Sequence, residues 1–300
     1  MLAARGRRPS LRRDEKVLAD WNGLTLSAFS HAYRTFGDPH YLDIAETLAE
    51  YLVREFMHGD DITHMARPGQ SDVAGQLPDF ALVAQGFLDL YDAGYDPRHV
   101  EQAMRLTDRM VELFKDPAFG FYTTRAGMAD LIARIKTGYD GAVPSGNSVA
   151  VMNLLRLSRL AGRNDYERLA AQTLRLFYPL MFDYPAGFSR MLSGLDFMLN
   201  PGKEVILFLP APSKVAQEMS DRLRCRADEY LTTVGIRGSQ PDSLTRRLIP
   251  MSRERAAVNN KPTAYVCSQF TCNEPVHDAD SLDALLDQTV GSLDTGAASK

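Results

Sequence analysis

Cysteine is scarce, with three in 300 residues. A low, odd count excludes a disulfide-stapled small fold and fits a reducing compartment, so a cytoplasmic location is expected. Long apolar runs are missing too. No stretch approaches the roughly eighteen residues a membrane helix needs, and no membrane partner is expected. Charge of one sign is not in excess: 34 Lys+Arg against 38 Asp+Glu leave a formal charge of -4. Without a basic field, nucleic acid is excluded as an expected partner. A Gly-rich phosphate loop, a Gly-x-Ser-x-Gly elbow and a Cys/His nucleophilic pair are all absent. The six histidines (His31, His40, His58, His64, His99 and His277) lack zinc-ligand spacing, so neither a metal nor another cofactor is expected.

Core-forming residues are present in ordinary amount, 45% hydrophobic against 24% charged. At roughly 100–200 residues per domain, the length suits one large domain or two small ones. Residues 1–13, MLAARGRRPSLRR, are basic and lack an apolar segment of signal-peptide length; they read as a solvated tail or linker remnant. Residues 14–200 read as helical hairpins. Val17, Trp21, Leu24, Ala28, Ala32 and Phe36 recur at three- and four-residue spacing, giving one apolar stripe. Gly37 supplies a stop, and Asp38-Pro39 a capped restart through Leu42, Ala45, Leu48, Leu52 and Phe56.

That punctuation repeats. Phe80, Val83, Phe87, Leu90 and Tyr91 run to Gly94, and Asp96-Pro97 opens the next helix. A third pair spans Ser145 to Leu160, stops at Gly162 and resumes at Asn164. The restarts are 58 and 68 residues apart, a degenerate hairpin repeat in which each unit covers its neighbour's apolar face. Long connections fill 57–77 and 116–144, the second holding Phe119–Thr123 as an expected short strand or hairpin. Residues 201–290 read as a small α/β region: strands at 204–209, 230–236 and 263–267, and helices at 214–227 and 281–290. Residues 291–300 read as a frayed tail. Cys267 and Cys272, five apart, read as buried thiols ahead of a reversible disulfide.

The first helices of successive hairpins run in one direction, so their starts should share one end. Those starts are polar: Asp14, Lys16, Trp21 and Asn22; then Pro78-Asp79; then Asp140 with Ser145 and Asn147. Helix N-termini add unpaired N–H groups and a positive dipole end, which predicts a polar-rimmed pocket. Each residue also has a structural alternative: Ser145 or Asn147 as N-cap, Asp79 as first-turn acid, Lys16 as surface ion pair, Trp21 as core.

Four ordered segments carry a family resemblance. They are Asp14-Glu15-Lys16-Val17-Leu18-Ala19-Asp20-Trp21-Asn22-Gly23-Leu24; Asp79-Phe80-Ala81 with Gly86-Phe87-Leu88-Asp89-Leu90-Tyr91; Asp140-Gly141-Ala142 with Pro144-Ser145-Gly146-Asn147-Ser148; and Tyr265-Val266-Cys267 with Cys272 and Pro275. Together they resemble the thioredoxin domain-containing protein family, departing from it at Glu15, Thr25 and Phe80. The resemblance implies a mainly α fold, an alpha/alpha toroid of the six-hairpin glycosidase and N-acylglucosamine 2-epimerase kind. The toroid would be partial, carry a small α/β C-terminal segment, and lack the family's N-terminal thioredoxin-like domain. Within that architecture, the placement of the polar residues at co-directional helix starts is read as a carbohydrate-type pocket. Asp79 and Asp140 would be its acid/base carboxylates, Trp21 its stacking face, and Asp14, Lys16, Asn22, Ser145 and Asn147 its binding groups, with a small sugar as ligand. The alternative is a non-catalytic structural or interaction module, partnered by a second copy or a thioredoxin-like chain.

Overall fold

Helix boundaries follow local capping chemistry. In the computed structural model, which describes residues 5–8, 14–66, 73–128, 131–200, 202–226, 228–268 and 271–288, α1 (Ala19–Phe36) ends where Gly37 turns to φ 71°. Helix α2 (Pro39–Glu55) starts under Asp38, whose side chain accepts the His40 N–H. Helices α3 (Leu77–Gly94) and α4 (Pro97–Phe114) meet at Tyr95, which takes the left-handed turn at φ 61° before Asp96 caps the second. Gly162, at φ 65°, divides α5 (Gly146–Ala161) from α6 (Asn164–Asp183). Helix α7 (Ser189–Leu199) completes the array. The tail expected at 291–300, and all of 1–13 except 5–8, lie outside the described residues.

Helices α1, α3, α5 and α7 lie side by side and parallel, each of the first three paired with the helix that follows it. The register is visible in the glycines. A Cβ at Gly23 would come 2.6 Å from the Leu82 carbonyl, one at Gly86 2.8 Å from the Gly23 oxygen, and one at Gly146 2.8 Å from the Leu77 side chain. The helix starts therefore share one end, and the layer is the repeating unit of an alpha/alpha toroid.

This close approach corrects the expected stripe on α1. Ala19, Gly23, Leu26, Ser27 and Ser30 are its buried residues, while Trp21 is 60% and Phe36 71% exposed. Small side chains let helices approach closely, so the seam follows size rather than apolarity. Helix α3 is buried on nearly every side.

The 57–77 connection also differs from a bare loop. Strands β1 (Val17–Leu18), β2 (Met57–His58) and β4 (Val73–Ala74) all pair antiparallel with β3 (Asp61–Ala66). Strand β1 removes Val17 from the first helix. Phe119–Thr123 forms no strand; a single bridge joins Lys115 to Phe121.

The C-terminal segment follows the expected α/β pattern. Strand β5 (Glu204–Phe208) leads through α8 (Lys214–Cys225) to its parallel neighbour β6 (Thr232–Ile236). After α9 (Ser243–Leu248), β7 (Thr263–Ser268) pairs antiparallel with the other edge of β5 and with β8 (Thr271–Cys272). Helix α10 (Ala279–Asp287) closes the segment. Alternation along β5 sends Ile206 and Phe208 into the helical core, and Val205 and Leu207 into a second core that includes Met219 and Leu223 of α8 and Leu282 and Leu286 of α10. Cys267 and Cys272 stand directly opposite in the β7–β8 register and are joined as a disulfide, which corrects the expected thiols.

Candidate functional site

Three side chains meet at the shared end of α1 and α3. Asp20 is the second residue of α1, Asp79 the third of α3, and His64 belongs to β3. Asp79 is 1% exposed, and its oxygens lie 2.9 and 3.0 Å from His64 Nδ1. One of them also accepts the Gln76 N–H at 2.7 Å, completing a capping box. Ligand atoms of Asp20, His64 and Asp79 all lie within 4.8 Å of one another, a set that could also hold a metal ion.

The electrostatics favour proton exchange. The Asp79 hydrogen bond raises the His64 pKa above its ordinary value, overcoming the opposing effect of burial. Burial, and then the Asp79 charge, raise the Asp20 carboxyl. With Asp79 on Nδ1, the imidazole proton is fixed there, and Nε2 is left for other chemistry. Trp21 adjoins Asp20 and is exposed.

The remaining residues singled out in the sequence serve largely to tie the chain together. Asp140 accepts the Ser145 N–H at 2.9 Å, and those of Arg190 and Met191 at 2.9 and 3.2 Å, so it staples the starts of α5 and α7. Both of its oxygens accept backbone N–H groups, which suits this tying part. Asn147, fully buried, bonds both the N–H and the carbonyl of Phe121 and the carbonyl of Thr137. Ser145 caps α5 through the Ser148 N–H. Asn22 donates to the Leu18 carbonyl at 2.7 Å. Lys16 pairs with Asp14 on the surface at 3.1 Å.

Asp20 and His64 escape a reading of the sequence. The available signals were the position of Asp20 beside Trp21 and that of His64 in a long connection preceding a polar helix start. Strand pairing of β3 with β1 was needed to bring them together.

No protein-family model matches the chain. Human spermatogenesis-associated protein 20 is 28% identical over 304 residues, covering 95% of this chain and 38% of that protein. Its mouse counterpart is 29% identical over 302 residues, covering 96% and 38%. Among solved structures, a GH76 alpha-mannanase from Bacteroides thetaiotaomicron aligns with a TM-score of 0.45 and 17% identity over 56% of this chain and 45% of its own. A cellobiose 2-epimerase from Bacillus thermoamylovorans gives 0.45 and 15% over 56% and 46%. Along nearly its whole length, then, this chain is similar to spermatogenesis-associated protein 20, of which it spans 38%.

Proposed function

We propose that the shared end of α1 and α3 is a carbohydrate-directed acid/base site. His64 is its proton carrier and Asp79 its positioning residue. Asp20 is the second titrating group, and Trp21 the face on which a sugar ring stacks. The observation that carries this reading is the buried Asp79 carboxylate on His64 Nδ1, with Asp20 in the same cluster. Neutral His64 accepts a substrate proton at Nε2, and the imidazolium so formed is stabilised by Asp79. Asp20, whose carboxyl is raised, returns a proton to the leaving or rearranging oxygen. The carbohydrate class is supported by Trp21, 60% exposed beside the acid/base cluster, and by the motif resemblance to proteins of the six-hairpin kind.

The test is turnover of α- and β-linked disaccharides, followed as reducing ends and as epimerised product. His64→Gln should lose roughly 10²–10⁴-fold in kcat and Asp79→Asn a smaller share. Absence of turnover with every disaccharide, or full turnover by His64→Gln, removes the proposal. A second reading, an interaction module partnered by another copy or a thioredoxin-like chain, is favoured by apolar exposure at Phe36 (71%), Phe182 (75%) and Leu199 (67%). A sedimentation profile that stays monomeric at every concentration and with added thioredoxin counts against it.

A further inference from the structure

A second constellation lies farther down the same helices. His31 is eleven residues beyond Asp20 and Asp89 ten beyond Asp79, or about 15 Å along each axis. There, the C-terminal halves of α1 and α3, with α5, α7 and the segment from α8 to β6, line a half-open cavity of about 740 Å³, within the range of small-molecule sites.

Its helical wall carries three guanidinium groups against two carboxylates. Arg156 of α5 bonds Asp89 at 2.7 Å and Asp92 at 2.9 Å, and Arg34 of α1 lies 3.7 Å from Asp92. His31 Nε2 lies 3.5 Å from Asp89. Burial alone would raise the Asp89 carboxyl; Arg156 and His31 instead hold it well below the usual range. Across the cavity, Arg224 is matched by Asp221 at 2.9 Å, and Arg226 by Asp283 and Asp287 as well as by Asp228; the exposed Glu229 adds a further carboxylate to that side of the lining.

Arg190 of α7 is left over. Its guanidinium donates to the Gln85 side-chain oxygen at 3.0 Å, and among the described residues no carboxylate pairs with it. Burial pushes its pKa below the usual guanidinium range. Asp89 and Asp140 act on it only through their charge, without a direct ion pair. A half-buried cation with no bonded counter-ion is costly to hold, and a bound anion would reduce that cost.

We propose that this cavity binds a small hydroxylated anion whose carboxylate or phosphate group pairs with Arg190. The planar fork of a guanidinium suits either group bidentately. Gln85, Ser193 and Thr233 line the wall as hydroxyl partners, and Phe197 and Met152 supply an apolar face for a carbon skeleton. This site is independent of the acid/base cluster, with which it shares no residue.

The experiment is calorimetric titration of the full chain at low salt with glucuronate, glucose 6-phosphate and glucose, up to roughly 10 mM. One of the two anions should bind at least about tenfold more tightly than glucose, and which one does so distinguishes carboxylate from phosphate. Arg190→Met should abolish that preference, whereas Arg190→Lys, which keeps the charge but not the fork, should retain it at reduced affinity. Without ligand, Arg190→Met should melt at or above the wild-type temperature, because an uncompensated charge is gone. The proposal is overturned if glucose binds as tightly as the anions, if neither anion binds, or if Arg190→Met melts lower while keeping the preference. Should Arg190→Met fail to fold, loss of anion preference in Arg190→Lys overturns it equally.

Discussion

At the scale of single residues, the raised pKa values of His64 and Asp20 set a pH dependence whose sign is fixed. His64 stabilises the fold fully below its ordinary value of about 6.5, and that contribution is lost as pH rises through its higher folded value. Asp20 acts in the same direction. Its burial begins to cost stability as pH rises from the ordinary carboxyl value of 3.8 through its raised one. In a proton NMR titration, His64 should therefore titrate above an unstructured histidine, and Asp79→Asn should lower its midpoint. An unmoved midpoint would mean that Asp79 serves only the capping box. His64 was not legible as a functional group in the sequence. Histidines in a long connection with no ligand spacing give no local signal, and the carboxylate that orients this one is fifteen residues away.

At the scale of elements, local and non-local information separate cleanly. Gly37, Asp38-Pro39, Asp96-Pro97 and Gly162 mark boundaries because a cap needs only its own turn of helix. The buried face of α1 could not be read in the same way, since the α1–α3 contact is made by small residues. Gly23→Ala tests that seam. Its Cβ would meet the Leu82 carbonyl at 2.6 Å, and backbone cannot rotate aside as a flexible side chain can. Urea denaturation should show a loss of about 1–3 kcal/mol. Thr25→Ala, on the exposed side of the same helix, should stay within about 0.5 kcal/mol. Equal effects from the two substitutions would refute the packing assignment. Asn147 shows the same division: the sequence identifies a capped helix start, while the structure adds two carbonyls and an N–H from the preceding connection.

At the scale of the whole molecule, the α/β segment is held to the helices by more than its apolar underside. Arg159 of α5 donates to the carbonyls of Phe197, Asn200 and Tyr230 at 2.7, 3.0 and 3.1 Å. Arg224 of α8 donates to those of Tyr33 and Arg34 at 3.1 and 2.8 Å. Replacing Arg159 with Met strands three acceptors and should cost about 1–3 kcal/mol. It should also speed proteolysis in the connection between α7 and β5. An unchanged melting temperature and cleavage rate would mean that Ile206, Phe208, Val234 and Ile236 hold the segment without the arginine.

What the sequence determined by itself was whatever a few neighbouring residues can specify: helix ends, the repeat of hairpins, the parallel order of their starts, and the β5–α8–β6 unit. Tertiary structure alone decided which side of α1 is buried, that Asp140 and Asn147 tie the chain together, and that Cys267 meets Cys272. It also decided that His64 reaches Asp79 and that Arg190 faces a cavity with, among the described residues, no carboxylate in direct ion pair with it. Caps and periodicity act over one or two turns of chain. Proton sharing and charge balance depend on distances between elements far apart in sequence, and those distances exist only once the elements have packed.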